Sequence, residues 1–273
     1  MLSRYLYIPF VLLAVVFLMT TAITKEYSYA IYAVPCVVCV AVVYILSPQI
    51  DWWWYQRHPI DLPVGLRHFI NTNSVFYQNL PAAEKTRFRN RMAMYIEANE
   101  FMAQGMEAVP PDLKAVVAAS VVQLTFGQED YLLNKFEHVI IYPHPFPSPQ
   151  YPDQWHVCEH FEEDGVIMFS AEQLMPGFLD PHRFLHIGLY EYTRVFRNCH
   201  PMVAFPDYIS EEHWPALERI SSFPKEKTMK YIGLKEIDLV ALAAVYFFVF
   251  PEKFKAQLPA IYEAFALAFN QRP

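Results

Sequence analysis

Residues 6 to 23, LYIPFVLLAVVFLMTTAI, contain no charged side chain, and residues 29 to 46 repeat that pattern. At about 1.5 Å of rise per residue, each run is long enough to cross a bilayer as a helix. The intervening TKEYS is short enough only for a turn, so the pattern predicts a helical hairpin over residues 1–49 that crosses and returns. Beyond it the periodicity changes. Charged and apolar positions alternate at helical spacing from Pro81 to Gln104, with Gly105 as a stop, and DLKAVVAASVVQLTF predicts a short core helix. FEHVIIYP predicts a strand ended by its proline. Residues 143–152, with five prolines, predict an extended loop, and WHVCEHFEEDGVIMFS predicts a hairpin turning at Glu163-Asp164-Gly165. From Pro181 the chain is expected to be helical over 181–198, 210–222, 235–250 and 251–270. Strands gathered in the middle of a helical chain define an α+β domain, here mainly helical with a small central sheet.

The first apolar run also raises the reading of a signal peptide. Its length, the lack of a small-residue cleavage site and the immediate second span argue for the hairpin. Residues 50–74 are expected to form a membrane-proximal connector, in which Trp52, Trp53, Trp54 and Tyr55 suit an aromatic belt at headgroup level or a core cluster. The domain proper is placed at 75–273. Arg4 before the first span, with Arg57 and Arg67 after the second, outweighs Lys25, which Glu26 balances in the turn. Positive-inside counting therefore puts both termini and the domain in the cytoplasm, as a two-pass protein of the inner membrane with lipid as one partner.

Composition removes several function classes. Only Arg4, Lys25 and Glu26 of the 21 basic and 28 acidic residues precede position 50, so the domain is acidic and lacks the basic surface that nucleic acid requires. Seven glycines form neither a Walker A loop nor a GxGxxG turn. Cys36 and Cys39 have CxxC spacing but lie inside an apolar span, and Cys158 and Cys199 make no disulfide framework.

One stretch carries a chemical question. In LHIGLYEYTRVF, residues 185–196, the helical stripe through Phe184, Ile187 and Val195 is completed by Glu191, while Leu185, Leu189, Tyr192 and Phe196 form a second apolar stripe. A carboxylate on a buried face needs a partner, a proton or a job.

The order of elements here resembles the Mlc titration factor A family of zinc metallopeptidases over roughly residues 75–273. It comprises a core helix, a strand ending YPHPF, a hairpin ending GVIMFS, a helix near 181 and the terminal run VYFFVFPEKF…LPAIYEAFALAFNQRP. The resemblance implies a zincin-like fold in which one helix bears HExxH and a later helix supplies a glutamate as third metal ligand. Two histidines at i and i+4 hold Zn²⁺ from one helix face, and the glutamate takes a proton from metal-bound water. Laid on this chain, the family's motif falls on Tyr190, Glu191 and Arg194, so only the base position, Glu191, is retained. The third-ligand position, in ALAAVYFF, is Val245. Arginine is a permanent cation and valine has no lone pair, so neither ligates a divalent ion. Arg194 is the expected partner of Glu191.

What the resemblance and these substitutions imply together is a bacterial, membrane-anchored pseudopeptidase that binds a protein or peptide and needs no cofactor. A second reading keeps an active zinc metallopeptidase with ligands moved to His182 and His186, which HRFLH spaces at i, i+4. A third makes the chain a structural subunit of a membrane complex. His156, Cys158 and His160 alternate in WHVCEHF and would share one strand face, with His144 or Glu162 as a further ligand, or else line an exposed hairpin face with one semi-buried cysteine.

Overall fold

The structure, a computed structural model, describes residues 3–58 and 61–273. It divides into two compact units, Met1–Ile60 and Asp61–Pro273.

The first unit is helical. A short α1 (Ser3–Leu6) precedes α2 (Ile8–Thr24) and α3 (Ser28–Ile45), and these are long and apolar enough to cross a membrane as a pair. Lys25 ends α2 in the left-handed conformation at φ 56°, with its N–H on Thr21 O at 2.9 Å, and the chain reverses. The tryptophan segment, the start of the expected connector, is helical, as α4 (Ser47–Arg57). Its aromatics space well on a helix: the Arg57 guanidinium lies 3.9 Å from the Trp53 ring and Trp54 stacks on His58 at 3.8 Å. Asp51 on α4 accepts from the N–H and hydroxyl of Ser3, at 2.8 and 2.7 Å.

The second unit is α+β. It opens with α5 (Val64–Asn73) and α6 (Val75–Asn79), again where a connector was expected, and Ser74 caps α6 through its hydroxyl. Next come α7 (Ala82–Ala98) and α8 (Pro111–Leu124). The helix expected to reach Gln104 stops at Ala98, because Glu100–Ala103 leaves it as strand β1 and pairs in parallel with β2 (His138–Tyr142). With β3 (Cys158–Phe161) and β4 (Val166–Ser170) these make a four-stranded mixed sheet in the order β1-β2-β4-β3. β2 pairs with β4 in parallel, β3 with β4 antiparallel around Gly165, whose φ is 61°.

A further helix, α9 (Ala171–Leu179), follows β4 and spans Pro176, which had disguised it. The helix expected from Pro181 begins six residues later as α10 (Ile187–Cys199), since residues 181–184 fold into a turn on Asp180 O and His186 supplies the cap. The remainder comprises α11 (Trp214–Ser221), α12 (Lys225–Ile232), α13 (Leu239–Val249), α14 (Pro251–Gln257) and α15 (Pro259–Ala268). The single run expected over 251–270 breaks at Leu258, because Pro259 cannot continue the hydrogen-bond ladder. α8, α10 and α13 are almost entirely buried and pack together as the helical core, with β3 against α10. The buried Arg91 of α7 ties this core at the end of α8, donating to the carbonyls of Thr125, Phe126 and Gln128 at 2.7 to 3.2 Å.

Candidate functional site

Glu191 lies in the middle of α10 with no solvent exposure. Three side chains meet its carboxylate. Arg194 Nη1 donates to Oε2 at 2.9 Å and to Oε1 at 3.1 Å, His160 Nδ1 lies 2.6 Å from Oε1, and the Cys158 thiol completes the set. Helical spacing brings Arg194 there, three residues on. Strand alternation does the rest: Cys158 and His160 lie on the face of β3 that meets α10.

Burial alone raises the carboxyl's pKa, but the Arg194 charge overcomes that, helped by the His160 hydrogen bond, and the result is held down at about 2. Glu191 is therefore ionised, and His160 must present Nδ1–H to it. For Arg194, burial acts to lower the pKa, yet Glu191 reverses this and holds it above the ordinary arginine value. Burial pushes the Cys158 thiol well up, reinforced by the Glu191 charge, so it stays protonated as a donor.

The neighbouring positions make structural contacts. The Tyr190 hydroxyl accepts the Asp238 N–H at 3.0 Å. Asp238 caps α13 through Ala241 N at 3.0 Å and accepts from Arg197 at 2.8 Å, so the tyrosine joins α10 to the start of α13. Val245 lies seven residues on, two turns along the same face of α13, and is 2% exposed. Tyr192, on the opposite side of α10, shares a buried hydrogen bond of 2.7 Å with Tyr95.

This donor set does not fit zinc. At the positions where the resemblance would put two imidazoles and a carboxylate, the chain has a phenol engaged with a backbone N–H, a guanidinium and an isopropyl group. Among the described residues no group of three or more His, Cys, Asp or Glu side chains is placed to hold a metal ion.

His182 and His186 do not share a helix face. His182 is exposed in the turn before α10 and tilts against the Phe250 ring at 5.1 Å, whereas His186 is the buried N-cap of α10, its Nδ1 accepting from Leu189 N at 3.2 Å. The expectation of an exposed hairpin face with one semi-buried cysteine is corrected. His156 and Cys158 are fully buried and His160 nearly so, because β3 is covered by α10 and the chain before it by the end of α12. His156 uses both nitrogens, Nδ1 on Gln154 O and Nε2 on Glu159, each at 3.0 Å. His144 pairs with Glu172 at 2.9 Å and Glu162 with Asn198 at 2.8 Å, apart from that cluster.

An open cleft of about 400 Å³ lies beside the ion pair, lined by His160, Arg194, Arg197, His200, Phe205 and Asp238 among others. Arg194 spends only Nη1 on Glu191, so its other nitrogens edge this cleft. Sequence alone identified Glu191 and Arg194. It missed the contribution of His160 and Cys158, whose alternation was visible but whose facing helix was not.

Two N-terminal helices long and apolar enough to cross a membrane precede an α+β domain whose buried ionic cluster lies on a core helix. Residues 50–177 match the family model Peptidase_M90, glucose-regulated metallo-peptidase M90, the family of Mlc titration factor A, so that this part of the chain is similar to it. The matched stretch covers α8, the sheet and most of α9, and ends before α10. No curated protein matches the chain.

Proposed function

We propose that this M90-like chain is a membrane-anchored pseudopeptidase whose cleft binds a protein or peptide segment and does not hydrolyse it. The observation that carries the reading is the Arg194 guanidinium on Glu191: the carboxylate that would act as base is ionised, buried and saturated with donors. A general base needs a reacting proton within reach and a free lone pair to take it. Likeness to the M90 family speaks for the scaffold and not for the activity, which resides in the site residues. On this reading the cleft beside Arg194 is the binding groove, and its mixed charges suit a polar peptide backbone. The hairpin anchors the domain, with both termini on the cytoplasmic side of the inner membrane.

The test uses the full chain in lipid nanodiscs. Zinc content by plasma mass spectrometry should stay well below one per chain, and hydrolysis of fluorogenic peptides should match protein-free discs, with Glu191→Gln indistinguishable from native. Stoichiometric zinc that disappears in His182→Ala or His186→Ala, together with peptide cleavage, would establish a relocated metal centre instead.

A further inference from the structure

A second concavity lies apart from the cleft beside Arg194. This one, about 370 Å³, lies at the N-terminal end of α10. Its walls include Phe76 on α6 and Leu80 just after it, Phe178 on α9 and Phe248 on α13. A volume of this size suits a small organic ligand, and sites for such ligands set a few convergent polar groups in apolar walls.

Two polar side chains supply that element, both more than nine-tenths buried. His186 is 3% exposed and Gln123, on α8, is 8% exposed. The hydrogen bond from Leu189 N to Nδ1 fixes the acceptor side of the His186 ring. Burial pushes its pKa down to about 4, so the ring is neutral and its proton sits on Nε2. Phe178 meets the ring edge-on at 5.8 Å and holds its plane. Among the described residues the Gln123 side-chain amide has no hydrogen-bond partner; only its backbone carbonyl is used, by Gln271 Nε2 at 2.9 Å. The pocket therefore offers a donor from His186 and a donor and an acceptor from Gln123, all left unspent in a half-apolar enclosure. His186 and Gln123 both line the open pocket, where a ligand with complementary groups gains hydrogen bonds in a partly apolar setting. The charged side chains at the pocket are already engaged, Asp180 with Arg183 at 3.8 Å and Arg272 with Glu263 at 2.8 Å.

We propose that this pocket is a binding site for an uncharged small molecule that combines an apolar body with one amide or carbonyl group. The apolar body lies among Phe76, Leu80, Phe178 and Phe248, and the carbonyl oxygen takes the His186 and Gln123 donors. This site is independent of the cleft beside Arg194 and of any peptide bound there.

The probe is N-phenylacetamide, followed by saturation-transfer NMR on the full chain in nanodiscs, with benzoate and benzylamine as charged analogues and empty discs as the blank. Transfer to the anilide ring should exceed the blank. Gln123→Leu, which keeps the volume and removes the amide, should weaken binding roughly tenfold. Asn79→Trp changes an exposed lining residue, leaves the core intact and should abolish the signal by filling the pocket. No transfer above the blank, unchanged affinity in either variant, or equal binding of benzoate or benzylamine would overturn the proposal.

Discussion

Arg194 sets one guanidinium nitrogen between the two carboxylate oxygens of Glu191, at 2.9 and 3.1 Å, inside a helix where the carboxylate has no contact with water. A pair of this kind is asymmetric under mutation. Removing one partner strands a buried charge and costs about 3–5 kcal/mol, whereas replacing both with apolar groups of similar volume is often neutral. Arg194→Met should therefore destabilise the domain by about that amount, and the double change Glu191→Leu with Arg194→Met should recover most of it. Urea unfolding of the two variants against native protein gives the comparison. A double variant no more stable than the single one would mean that His160 and Cys158, not Arg194, are the partners that matter.

The ion pair was legible because both residues lie on one helix, where a spacing of three fixes their proximity. Sheet register is non-local, and nothing in the residue pattern aligns β3 with α10, so His160 and Cys158 read as an exposed hairpin face with one semi-buried cysteine, or else as metal ligands. The same limit explains β1: Glu100–Ala103 continues the helical pattern of α7, and only the presence of β2 makes it a strand. α9 was hidden by Pro176, and the start of α10 by the three residues that carry apolar periodicity into a turn. The hairpin was read whole, since membrane-length apolar runs depend on nothing distant.

Two buried groups give the fold a stepped response to acid. His186 is neutral in the folded chain, with a pKa of about 4 against an ordinary 6.5, so the unfolded chain binds the extra proton between those values. Its contribution to stability is complete above pH 6.5 and is lost as pH falls toward 4. Glu191 is depressed to about 2 from 4.5, so its contribution is complete above 4.5 and is lost as pH falls toward 2. The melting temperature should decline in both windows. His186→Asn, which keeps an N-cap acceptor, should flatten the upper one, and Glu191→Gln the lower. An upper window that persists in His186→Asn would assign that step to another group.

Gly233 ends α12 at φ 85°, and a Cβ there would lie 2.0 Å from Trp155 O, in the chain that leads into β3. Gly65 lies in α5 with nothing within 4 Å of its Cβ position. The same substitution should therefore have opposite signs. Gly65→Ala should stabilise by up to about 1 kcal/mol through helix propensity. Gly233→Ala should destabilise by more than that gain and should also perturb the His156 and His160 environments, visible as shifts in imidazole NMR signals. Equal effects at the two sites would refute the close approach of α12 to residues 155 and 156.

The replacements on α10 and α13 also define what would have to be undone. Tyr190→His and Arg194→His put two imidazoles at adjacent turns of one helix face, and Val245→Glu adds a carboxylate from the helix packed against it. Removing Arg194 also releases Glu191 from its ion pair, although His160 and Cys158 remain on it. The triple variant should bind one zinc per chain, measurable by titration calorimetry in nanodiscs, while the native chain and each single change should not. Zinc in the triple variant with no peptide hydrolysis would identify His160 as a residual block on the base, which His160→Ala would then relieve. No zinc at all would mean that α10 and α13 do not hold these three positions at zincin spacing.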